Sequence, residues 1–93
     1  MAGVFDKTSE ILGDLTAMSR MQSRGTIRLI LNAAKVEAHA VTRERMIELL
    51  SAALAEELAK RGIAESGAIV QTLLNKLRTV PISDTAYDIF AKI

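Results

Sequence analysis

Side chains that commonly make or break bonds are sparse in this sequence: it has a single histidine, His39, and no cysteine. That inventory removes cysteine nucleophiles, thiolate metal centres, iron–sulfur clusters and disulfides, and it leaves a His-rich metal site without ligands. A serine triad would need His39 beside a serine and a carboxylate, and no nucleophile-elbow motif marks a place for it. No glycine loop is spaced to cradle a phosphate. The adjacent Glu56 and Glu57 point in different directions on a helix, each with a base four residues on at Lys60 and Arg61, so surface ion pairing explains them better than paired-carboxylate catalysis. The expectation is a protein that is not an enzyme and uses no cofactor, metal or small-molecule substrate.

Charge is the more informative chemistry. The net is only +1, but Arg20, Arg24, Arg28, Lys35, Arg43 and Arg45 against Glu37 and Glu44 set residues 20–45 at +4, while residues 1–19 and 46–65 each stand at −2. Arg20, Arg24 and Arg28 are spaced i, i+4, i+8, with Lys35 two turns further. A helix unbroken at Gly25 therefore lines all four along one flank. Such a stripe is either a solvated face paired with Asp14, Glu44 or Glu48, or the contact for an anionic partner: an acidic protein, nucleic acid or anionic lipid. The residues to watch for that contact are Arg20, Arg24, Arg28, Lys35, His39 and Arg43. His39, in a connection between helices, reads first as a solvated loop side chain.

The scaffold that holds these residues is set by composition and periodicity. A chain of 93 residues, 49% apolar but with only two Phe and one Tyr, needs one core of Leu, Ile, Val, Ala and Met. A single all-α domain over residues 1–93, a small bundle of four to five helices, is expected. The first helix reads from a cap near Asp6 and turns Ile11, Leu12, Leu15 and Met18 inward, with Gly13 weakening it. Gly25 then either breaks or bends the path into a stripe of Ile27, Ile30, Leu31 and Ala34. Residues 36–41 read as a connection. Thr42 caps the clearest helix, with Val41 and Met46 placed as a hydrophobic staple. It carries Ile47, Leu50, Leu54 and Leu58 inward as far as Arg61, and Gly62 ends it with Ile63 folded back towards Leu58. A fourth helix begins near Ser66, buries Ile69, Leu73, Leu74 and Leu77, and stops at Thr79, Val80 and Pro81. Ser83 caps a short last helix with Ile82 and Tyr87 as its staple, and Ile89, Phe90 and Ile93 give it apolar surface suited to docking on the core or on a partner. No stretch approaches the roughly 18 apolar residues of a membrane span, and the first residues lack the basic start and apolar run of a signal peptide. A cytoplasmic protein with no membrane contact is expected.

Residues 26–43 also carry a local pattern. Ala34, Lys35 and Val36 followed by Val41, Thr42 and Arg43 resemble the helix-turn-helix of lac-repressor-type DNA-binding domains, whose Ala-Gly-Val turn leads to a Val-Ser-Arg in the recognition helix. Leu31 and Lys35 depart from it, standing where that family prefers a small alanine and a glycine. The resemblance implies that His39, Thr42 and Arg43 lie near DNA, and that Thr42 sits within a helix rather than capping one.

The first functional expectation is a protein-interaction or self-association module, with DNA binding second. Its partner is another protein or a second copy of this chain in a homodimer. Apolar contact is expected from Phe5, Met18, Met21, Phe90 and Ile93, the methionines supplying the flexible side chains common on adaptable surfaces.

Overall fold

Capping chemistry sets where the helices begin and end. The computed structural model describes residues 3–80, and among them lie four α-helices and no strand. These are α1 (Val4–Leu15), α2 (Arg20–Ala33), α3 (Arg43–Lys60) and α4 (Ser66–Thr79), with a 3-10 turn at Ala38–Ala40 between α2 and α3. The all-α bundle holds; the helix expected from Ser83 lies outside the described residues.

Two boundaries differ from the sequence reading. The first helix starts at Val4 behind Gly3, not at Asp6, which instead lies in the first turn where a negative charge suits the helix dipole. Val4 and Phe5 are both buried, so packing extends the helix past the polar residue. Gly25 neither breaks nor ends α2, which runs straight through it. The break falls at residues 16–19, where Ser19 Oγ accepts from the Gln22 amide at 3.1 Å and Gln22 Oε1 accepts from the Ser19 amide at 2.9 Å. This reciprocal capping box satisfies two amides that a helix start otherwise leaves without partners.

The entry and exit of α3 match the expected chemistry. Thr42 Oγ1 accepts from the Arg45 amide at 3.2 Å, and Val41 and Met46 are both buried as the staple requires. At the far end Gly62 takes φ +78, its amide bonds Ala59 O at 3.0 Å, and the Ile63 amide bonds Leu58 O at 3.1 Å. This is a Schellman cap. The end of α2 has the same pattern, with the Lys35 amide on Asn32 O at 3.0 Å and the Val36 amide on Leu31 O at 2.9 Å. There the left-handed position, φ 59, is held by Lys35 rather than by a glycine.

The core runs through all four helices, and Leu12, Ile27, Leu31, Met46, Leu50, Leu54, Leu58, Leu73 and Leu77 are fully buried in it. The most extensive pairings are α3 with α4 and α1 with α2, and α1 also packs on α4 as α2 does on α3. Ile69 is only partly buried; Val70 takes the inward position beside Leu73 and Leu74. The buried polar residues, Thr8, Ser9, Ser23 and Thr26, all lie on α1 and α2. Three of their hydroxyls donate back along their own helices, Thr8 to Val4 O at 2.7 Å, Ser9 to Phe5 O at 2.9 Å and Thr26 to Gln22 O at 2.8 Å. Ser23 Oγ has no hydrogen-bond partner among the described residues.

Candidate functional site

Because α2 continues through Gly25, its arginines do share a flank, but they are not equally free. Arg24 Nη1 donates to Asp6 Oδ1 at 2.6 Å, and its guanidinium lies 4.8 Å from the centre of the Phe5 ring. The Arg28 guanidinium covers the same ring at 5.2 Å. Phe5 is thereby buried between its own helix and two arginine side chains, so it is a packing residue and not exposed apolar surface. Arg24 and Asp6 join α1 to α2, a pairing different from the Asp14, Glu44 and Glu48 expected. Glu48 instead pairs with Arg45 one turn before it in α3.

The other basic candidates separate from this row. Lys35 lies beyond the end of α2, where the backbone turns left-handed, and cannot continue the helical stripe. Arg43 reaches across the bundle to donate to Leu77 O at 2.8 Å and Arg78 O at 3.1 Å, carbonyls that the end of α4 leaves unpaired. His39 is 82% exposed, with Nε2 3.1 Å from a carboxylate oxygen of Glu37.

These placements bear on the helix-turn-helix pattern. Lys35 does adopt the left-handed turn for which the family uses glycine. Beyond it the chain makes a single 3-10 turn and then runs extended through Val41 and Thr42, and the next α-helix starts only at Arg43. Thr42 caps that helix instead of lying within it, so the Val41, Thr42 and Arg43 register of a recognition helix is not formed.

A cleft of about 510 Å³ lies along α1 and the start of α2. Asp6, Glu10 and Asp14 line one side at i, i+4, i+8, and Arg20 and Arg24 line the other, so its charges largely balance. Among the described residues no group of three or more His, Asp or Glu side chains could hold a metal ion, and no helix is long and apolar enough to cross a membrane.

The outward face of α2 has a different character. Met21 is 82% exposed and Leu29 48%, and among the described residues these are the exposed large apolar side chains. They are eight residues apart on one side of the helix, about 12 Å along its axis. Gly25 lies midway between them, and a Cβ added there would touch nothing within 4 Å, so the backbone itself is open to an approaching surface. Arg20 and Arg28 edge this face on one side, exposed Gln22 and Ala33 edge it on the other, and α2 contains no acidic residue. Arg20 and Arg28 form no ion pair among the described residues.

Of the apolar contacts expected from the sequence, only Met21 lies on this face. Met18 packs against the core, its sulfur 3.8 Å from Thr26 Oγ1, while Phe90 and Ile93 lie outside the described residues. Leu29 was not among the expected contacts although its signal was present: once Ile27, Ile30, Leu31 and Ala34 point inward, helical geometry sends Leu29 outward. Compared with known proteins, the chain matches no family model, no curated protein and no solved structure.

Proposed function

We propose that this chain is a non-enzymatic protein-interaction module of the cytoplasm that binds its partner through the outward face of α2. The observation behind this reading is that the two exposed large apolar side chains among the described residues, Met21 and Leu29, lie on one helix face on either side of an unobstructed Gly25. Burying a methionine or leucine stabilises by roughly 1.5–3 kcal/mol each, a gain that the isolated chain forgoes at these two positions and that a partner supplies. The non-enzymatic reading is supported by the single histidine, the lack of cysteine and the lack of a catalytic motif around the serines and carboxylates, and the cytoplasm by the lack of cysteine. Protein is favoured over DNA because Thr42 and Arg43, which would read bases, are engaged in capping α3 and α4.

The test is a photo-crosslinking residue placed at Met21, with Gln71 on the exposed side of α4 as the control position. A discrete protein adduct is expected from position 21 in living cells, absent from position 71, and lost when Leu29→Asp is added to the first. No adduct from position 21, or the same adducts from both positions, would overturn the reading. Sedimentation of the purified chain shows separately whether a second copy can be the partner.

A further inference from the structure

We infer that the α2 face is built for an acidic amphipathic helix of another protein rather than for a second copy of this chain. The inference rests on the interaction reading above and adds the chemistry of the partner. A strip holding Met21, Gly25 and Leu29 runs along about two turns of α2, and Gly25 allows close approach at its centre. Its single charged edge carries Arg20 and Arg28, which have no carboxylate partner among the described residues, while Arg24 between them is already held by Asp6.

A two-fold contact of α2 on α2 does not by itself neutralise that edge. With α2 antiparallel to its copy, the symmetry axis sets the two arginine rows side by side along one edge, where they repel. With α2 parallel to its copy, each row faces the partner's Gln22 and Ala33, which are neutral. Neither arrangement gives Arg20 or Arg28 a carboxylate from the facing helix, because α2 has none. A foreign helix with leucine-like side chains at i and i+4 and glutamates or aspartates along one margin seals Met21 and Leu29 and pairs both arginines together.

The probe is a pair of synthetic amphipathic helical peptides of about five turns, identical in their leucine stripe, one with Glu and one with Lys along the margins. Binding is read from the backbone amide signals of the isotope-labelled full chain. The Glu peptide is expected to shift the signals of Met21, Gly25 and Leu29, to bind about tenfold more tightly than the Lys peptide, and to weaken several-fold between low and physiological salt. The Arg20→Glu, Arg28→Glu variant, whose fold the same spectrum checks, should reverse the preference. Equal affinity for the two peptides, shifts confined to other helices, or no shift with either peptide overturns the acidic-helix assignment, and crosslinking at Met21 stands or falls independently of it. A homodimer that seals Met21 also overturns this assignment, while supporting the broader interaction reading.

Discussion

Leu50, Leu54 and Leu58 of α3 stand with Leu73, Leu74 and Leu77 of α4 in one apolar seam, whereas α1 and α2 bury Thr8, Ser9, Ser23 and Thr26 among their leucines and isoleucines. Both pairs are held by apolar area removed from water, but the second also buries short hydroxyl side chains and has a solvated ion pair at its edge. The surface proposed to meet a partner lies on the second pair. The contrast sets an all-apolar helix pair against one that buries hydroxyls and carries the proposed recognition face.

The largest losses should come from the leucine seam. Leu54→Ala removes a fully buried side chain and is expected to cost about 2–5 kcal/mol in urea unfolding. Thr26→Ala, at equal depth in α2, removes a methyl and a hydroxyl that is already bonded to its own helix, and should cost about 1 kcal/mol. Equal losses at the two sites would erase the contrast.

The two Schellman caps come next. Gly62→Ala forces a side chain into a left-handed position at the end of α3 and should destabilise by about 1–2 kcal/mol. The matching position after α2 already carries that strain in Lys35, so Lys35→Gly should stabilise by roughly 0.5–1 kcal/mol. Opposite signs in thermal unfolding are the expected result, and a loss at Lys35→Gly would show that the lysine side chain has a stabilising contact of its own.

Close to the same size is a coupled pair on α1 and α2. Ser23→Ala removes a buried hydroxyl that has no partner among the described residues and should stabilise by about 1 kcal/mol. A Cβ at Gly13 would sit 3.2 Å from Ser23 Oγ, so Gly13→Ala alone gains little from improved helix propensity. Once Ser23→Ala has removed that oxygen, Gly13→Ala should add about 1 kcal/mol, and the double-mutant cycle should show the coupling. Strict additivity would mean that Ser23 rotates out of the way without cost.

These contrasts also explain what was readable from the sequence. The limits of α3 were legible because Thr42, Val41 with Met46, and Gly62 with Ile63 act within a few residues of one another. The break before α2 carried an equally local signal, the Ser19 to Gln22 capping box, masked by the more conspicuous glycine at position 25. Asp6 misled as a cap because burial of Val4 and Phe5 is a tertiary matter. The candidate site was only half legible. The arginine spacing of α2 was visible in the sequence, but the capture of Arg24 by Asp6, eighteen residues earlier, and of Arg43 by the end of α4 are long-range contacts that no local pattern encodes.

The smallest change tests whether the edge of the α1–α2 pair is held by charge or by coverage of Phe5. Arg24 and Asp6 are partly solvated, with side chains 32% and 50% exposed, so their ion pair is screened and should contribute well under 1 kcal/mol. Arg24→Met keeps a long apolar stem over the Phe5 ring while removing the charge, and should lower stability by no more than a few tenths of a kcal/mol. Arg24→Ala also uncovers the part of the ring that Arg28 does not shield and should cost up to about 1 kcal/mol more. If the loss is the same for both variants and vanishes at high salt, charge holds the pair together. If Arg24→Met is nearly silent and Arg24→Ala is not, Arg24 acts as a cover for Phe5, and the free charge on the outward face of α2 is left to Arg20 and Arg28.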